Sequence, residues 1–511
     1  MTLEANTEIV SQRSKADVDP DNLEPVAILV LDVGTSSMKA TLWSATGTLL
    51  HTTQHEYSPN YLPEDRVEQS PATWEDCLIK LTRLSVTWAA HHHLRIGSLS
   101  ITAQRSSVIP VDSQGQPLCN AIMWQDKRTA SICEEFESEG QFVYDRTGLR
   151  ISTVFTGPKI CWLRQHEPAI YARAHKFLVI PDYLVFLITG KFVTDHTYGS
   201  RSLLMNLATR QWDDELLHLF KINADKLCDL VPAGSIVGTS HQMFEISTGL
   251  RSGTPVVSAG GDQQCAALGA GVIEEGSLQI TTGTGSFVLA SSNAARLDPQ
   301  RRVMCEVSAV PGKYIIESSI LSTGAIYKWF NELAYGGGGY DQINADALAS
   351  PVGSNGVLTL PHFQGRGSPD WNPYAKGAFL NVTLATTKGD LARSILEGVA
   401  AEIAENIEII RETVGRITKI TVGGGMTKLD LFNQIQADMY GHEIQLLRNE
   451  GTTSLGAFAS CAVCAGIYPT YDAALNAANR DQHPLRFAPI AKNVEKYQAL
   501  KGRLAEAVRR S

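Results

Sequence analysis

The stretch LVLDVGTSSMKATLW, residues 29–43, decides the fold class. An apolar run ends at Asp32, a Gly34-Thr35-Ser36-Ser37 turn follows, and an alternating apolar pattern then resumes. A glycine turn opening directly into a helix would be a mononucleotide-type phosphate loop. Alternation up to the next turn, at Thr46-Gly47, predicts a β-hairpin instead. At the tip of a hairpin, backbone amides and the hydroxyls of Thr35, Ser36 and Ser37 can donate to anionic oxygens. Lys39 adds a positive charge. Asp32 suits magnesium, which takes one or two carboxylates along with phosphates and waters. Taken alone, the segment also reads as an ordinary hairpin that carries an aspartate.

The other half of the chain echoes it. LQITTGTGSFVLAS, residues 278–291, is again strand, glycine turn and strand, with Gly283, Thr284, Gly285 and Ser286 at the tip but no acid. One such hairpin in each half fits two similarly built domains facing each other across a cleft. TVGGGMTKLD, residues 421–430, ends a strand in three glycines before a helix. Bare backbone of this kind lets a flat group such as adenine lie close, although a tight turn without a ligand reads equally well. In SAGGDQQCAALGAG, residues 258–271, Asp262 stands where a strand gives way to a helix. A carboxylate there can accept a proton from a substrate hydroxyl, or simply cap the helix. The segments around Arg105, Trp124, Gln125 and Asp126 combine charge and amide with an aromatic, as in a polyol or sugar site.

The bulk properties set the frame. A chain of 511 residues implies two large domains, and strands alternating with helical patterns imply an α/β architecture. The 390–414 stretch places Leu391, Ile395, Val399, Ile403 and Ile407 on one helical stripe. A net charge of -9 argues against a nucleic-acid partner. No run is long and apolar enough for a membrane span, and residues 1–24 read as a loose polar tail without a signal peptide. A cytoplasmic location with reduced cysteines is the default expectation. The single CxxC, Cys461 to Cys464, reads as helix packing, and the histidines at 91–93 as a solvated helix end. The glycines at 336–339 read as a mobile loop.

Together these segments resemble the FGGY family of carbohydrate kinases. FTGPKICWLRQH, residues 155–166, resembles the first family signature around Lys159 and Trp162. GAFLNVTLATTKGDLARSILE, residues 377–397, resembles the second, with Asn381 where glycine is usual. GDQQ, WQDKRT and DWNPYAKGAF are most similar to segments of the glycerol-kinase branch, with xylulokinase-like relatives. The resemblance implies a two-domain actin/hexokinase-like (ribonuclease H-like) fold, with the domains at 25–255 and 256–505. It implies ATP and magnesium, a small sugar or polyol as acceptor, and a homodimer.

By the same resemblance Asp262 is the base and Asp32 the magnesium residue. Gly34, Thr35, Ser36, Ser37 and Lys39 with Gly283, Thr284 and Gly285 hold phosphates. Gly324, Gly424 and Gly425 border adenosine, and Arg105, Trp124, Asp126 and Gln263 face the acceptor. Two departures bear on the substrate. Ser106 replaces the glutamate and Val154 the tyrosine with which that branch binds glycerol. Lost hydrogen-bonding groups imply a wider pocket, favouring xylulose or a tetritol over glycerol. A non-catalytic sugar or nucleotide sensor on the same fold is the alternative.

Overall fold

The computed structural model describes residues 26–447, 451–480 and 482–510, so the tail expected at 1–24 lies outside the described residues. Its central strand is Val26–Val33. Ala27, Leu29, Leu31 and Val33 enter one apolar cluster, while Ile28 and Val30 enter another on the opposite face. Side chains alternate faces along a strand, so burial on both faces requires the continuous apolar run. The Ser37–Ser44 strand returns antiparallel and sets Lys39 opposite Asp32, which makes the expected hairpin.

The first sheet runs Ser235–Thr239, Pro255–Gly261, Arg95–Ala103, Val26–Val33, Ser37–Ser44, Leu49–Glu56. Pro255–Gly261, Arg95–Ala103 and Val26–Val33 are parallel, so their C-terminal ends share one edge. The second sheet runs Met304–Val307, Tyr314–Ile320, Ser286–Ser292, Ser277–Thr282, Lys419–Gly423, Ile444–Leu446, Leu485–Phe487. There too a hairpin feeds the middle strand, Ser277–Thr282, and two parallel strands follow on its other side. The two halves are therefore built alike, as the echo between the hairpins implies. The boundary expected at 255/256 is corrected: Pro255–Gly261 pairs with Arg95–Ala103 inside the first sheet. A strand's sheet is chosen by its remote partner, which local pattern does not reveal.

Helices cover both sheets. Lys388–Val414 starts at a capping box in which Thr387 and Asp390 exchange hydrogen bonds. Ile395, Val399, Ile403 and Ile407 from its stripe enter the core of the second half, with Leu391 packed against it. Asn381 has a φ of 61°, which accounts for the usual glycine there, since asparagine tolerates the left-handed region. Residues 336–339 link the Gly324–Tyr335 and Asp341–Ala349 helices.

The Thr452–Cys464 helix crosses back to pack on the first sheet, where Cys461 is buried and donates to Ser98 Oγ. This is the packing role read from the CxxC. His91 ends the Pro71–His91 helix, and His92 stacks on Trp88 at 3.8 Å. Among the described residues no group of histidine, cysteine and acidic side chains forms a metal-holding cluster of three or more. No helix among them is long and apolar enough to cross a membrane.

Candidate active site

Parallel pairing decides what meets at the first sheet's edge. Asp32 lies opposite Thr102, and Gly261 opposite Ala103. Asp32, Gln104-Arg105 and Asp262 thus emerge side by side from three neighbouring strand ends, where α/β sheets place their ligands. Asp262 opens the Asp262–Gly269 helix, and its Oδ1 accepts from the Gln263 amide at 2.8 Å. Arg105 Nε stands 3.7 Å from the same oxygen.

Burial pushes the Asp262 carboxyl above its ordinary value, and Arg105 partly offsets this. Asp32 is pushed up to about 7, first by burial and then by the negative charge of Asp262, with Lys39 opposing. A carboxyl raised by burial and by a neighbouring negative charge is relieved when a cation binds beside it.

The hairpin tips carry a matching device. Gly34 N donates to Ser37 O, and Gly283 N to Gly285 O, so both glycine amides are used in closing their turns. The amides of Thr35, Ser36, Thr284 and Gly285 have no protein acceptor among the described residues. Each turn therefore offers two consecutive N–H groups to an anion. The Thr35 hydroxyl is engaged elsewhere: it accepts from Trp124 Nε1 at 3.0 Å and lies 3.4 Å from Gln104 Oε1. Trp124 is thereby tied to the first hairpin tip.

Two of the second-half glycines approach the second hairpin closely. A Cβ on Gly324 would lie 2.3 Å from Gly283 O, and one on Gly424 2.5 Å from Thr282 O. Gly424 also has a φ of 94°. Gly425 is different: nothing lies within 4 Å of its Cβ direction, so exposed bare backbone faces open space.

Asp126 is corrected. It is fully buried, accepts from Val67 N at 2.6 Å and grips Arg128 with both oxygens, so it holds a turn and does not face an acceptor. Gln263 keeps its place beside Asp262, with a buried Oε1 that has no hydrogen-bond partner.

Sequence reasoning missed the surroundings of Arg105. Its Nη1 contacts Glu306 Oε2 at 3.0 Å and Glu317 Oε2 at 3.1 Å, while both glutamates also bind Arg201. An acid inside each apolar run, MCEV and YIIESSI, was the available signal, because buried charges are paired. Lys159 of the first signature is also buried. It donates to the carbonyls of Thr153, Val154 and Phe155, holding the turn that carries Val154.

Residues 27–269 match the model of the FGGY family of carbohydrate kinases, N-terminal domain, and residues 278–465 match that of the C-terminal domain. The chain belongs to the FGGY family of carbohydrate kinases. It is 30% identical over 501 residues to the glycerol kinase of Deinococcus radiodurans, covering 95% of this chain and 97% of that one. It is 33% identical over 459 residues to that of Janthinobacterium sp., covering 84% and 88%.

Among solved structures, the ligand-bound xylulose kinase from Lactobacillus acidophilus superposes with a TM-score of 0.89 at 22% identity, covering 94% and 97%. Plasmodium falciparum glycerol kinase with ADP gives 0.87 at 25%, covering 95% and 98%. The fold is the actin/hexokinase-like one of these sugar kinases, and the FGGY protein is a phosphotransferase with an alcohol acceptor.

One glycine tests the geometry of this FGGY site. A Cβ on Gly261 would lie 2.8 Å from Arg105 Cδ and 2.5 Å from Gln264 Oε1. Its φ of -61° and ψ of 152° suit any residue, so Gly261→Ala acts by displacing the Gln264 and Arg105 side chains and not by straining the backbone. Displacement on the ångström scale should lower kcat/KM for the acceptor by roughly ten- to a hundredfold. Thermal unfolding should stay close to wild type. Unchanged kinetics would show that Arg105 tolerates displacement.

Proposed function

We propose that this kinase transfers the γ-phosphate of ATP to a hydroxyl of a small ketose or polyol, of the xylulose or tetritol type in preference to glycerol. The observation that carries this reading is Asp262, half-buried at the edge where three parallel strands end, with no protein hydrogen bond on its second oxygen among the described residues. Asp262 takes the proton of the attacking hydroxyl as the O–P bond forms. Arg105 and Gln263 orient the acceptor, and Trp124 walls its side. The free amides of Thr35, Ser36, Thr284 and Gly285 hold the phosphate oxygens, and bare Gly425 accommodates the adenosine. Asp32 is the residue to hold magnesium, whose charge, when bound, offsets that of the phosphates. Catalysis is then mainly positioning and preorganised electrostatics, with water excluded.

The acceptor preference rests on two positions. Ser106 is buried with a φ of 69°, its hydroxyl turned towards Arg201 O at 3.5 Å, so no carboxylate reaches the acceptor from there. Val154 brings no phenol. A coupled ADP-release screen across polyols and ketoses of about three to six carbons, with NMR of the product, tests the reading. D-xylulose or erythritol should exceed glycerol in kcat/KM. Glycerol as the best acceptor would overturn the preference, and no ADP release with any acceptor would favour the non-catalytic sensor.

A further inference from the structure

Arg105, Arg201, Glu306 and Glu317 form a buried square of two positive and two negative charges. The arginines come from the first half of the chain and the glutamates from the edge strand of the second sheet and the strand paired with it. Burying four charges is costly relative to apolar packing of the same volume, so the square needs a reason beyond stability.

Arg105 supplies it. Its Nη1 is shared by Glu306 Oε2, Glu317 Oε2 and, at 3.4 Å, Gln264 Oε1. Its Nε stays 3.7 Å from Asp262, beyond hydrogen-bond distance. Its Nη2 has no protein partner among the described residues. A guanidinium is planar with fixed N–H directions, so gripping one nitrogen sets the aim of the others.

Glu306 does more than Glu317. Its Oε2 also accepts from Gln264 Nε2 at 2.9 Å, and Gln264 lies two residues beyond Asp262 on the same helix. Glu306 therefore fixes Arg105 relative to the helix that carries the base.

We infer that Glu306, tethered by Gln264, is a positioning residue that holds Arg105 off Asp262 and turned towards the acceptor. Without this grip, Arg105 Nη1 keeps only Glu317, at 3.1 Å and without a tie to the Asp262 helix, and the guanidinium is free to turn its Nε onto Asp262, 3.7 Å away. The base then loses a free oxygen, and the acceptor loses the Nη2 donor. The inference rests on the phosphotransfer reading of Asp262 given above.

The test is steady-state kinetics of the full chain with D-xylulose, erythritol and glycerol as acceptors. Glu306→Gln should raise the acceptor KM by about tenfold or more and lower kcat, with the KM for ATP within about twofold of wild type. A merely structural role would reduce the active fraction and leave the acceptor KM unchanged. If the single variant does not fold, Arg201→Gln/Glu306→Gln, which keeps the buried charges balanced, should show the same rise. Gln264→Met, which cuts only the tether and alters no charge, should show a smaller rise and decides the matter if neither charge variant folds. An acceptor KM within about twofold of wild type in the folded variants overturns the inference. A wild-type protein that transfers no phosphate to any acceptor would instead overturn the phosphotransfer reading itself.

Discussion

Asp262→Asn should lower acceptor-dependent turnover by about 10²–10⁴-fold, the usual weight of a general base. The amide has the shape of the carboxylate but cannot take up the proton. It preserves the local structure, because its oxygen can still accept from the Gln263 amide as Asp262 Oδ1 does at 2.8 Å. Loss of turnover with an unchanged unfolding temperature and unchanged ATP binding would therefore report on chemistry. Turnover near wild type in the ADP-release assay would remove Asp262 from the mechanism.

The same residue sets a pH dependence. Burial raises Asp262 above the ordinary 3.8, and the nearby Arg105 offsets only part of the rise. A base works when deprotonated, so at saturating magnesium, which holds Asp32 ionised, kcat/KM should fall as pH drops through the folded value of Asp262. The acid limb should accordingly lie above 3.8 in the free enzyme. It should be absent from the residual activity of Asp262→Asn.

Much of this site was legible because its devices are local. Each hairpin announces itself by alternation on both sides of a glycine turn, and Asp262 by its place between an apolar strand and a helix. The partners of Arg105 were not legible, since Glu306 and Glu317 lie 201 and 212 residues further along the chain. Only tertiary structure brings such charges together. Asp126 misled for the opposite reason. Its partner Arg128 is two residues away, and a charged side chain beside a tryptophan looks the same whether it serves a ligand or a turn. The 255/256 boundary failed because the Pro255–Gly261 strand takes its sheet from Arg95–Ala103, far back in the chain.

Gly456→Val should destabilise the protein by about 3 kcal/mol or more, at the upper end of what overpacking costs. The cost is steric. A Cβ on Gly456 would lie 1.9 Å from Cys265 O, and one on Gly269 1.9 Å from Thr452 O. The Asp262–Gly269 and Thr452–Cys464 helices therefore meet backbone to backbone through two reciprocal glycines. No flexible side chain intervenes to give way, so a branched residue must part the helices. The second helix cannot retreat freely, because Ala457 O accepts from Ser100 Oγ at 2.9 Å and Cys461 reaches Ser98. Displacement falls on the helix that opens with Asp262, so catalysis should suffer along with stability. Urea titration measures the first effect as a lower midpoint, and turnover per folded molecule measures the second. A midpoint unchanged by Gly456→Val would mean that the helices separate without cost, and the base would then lack the rigid backing on which its aim depends.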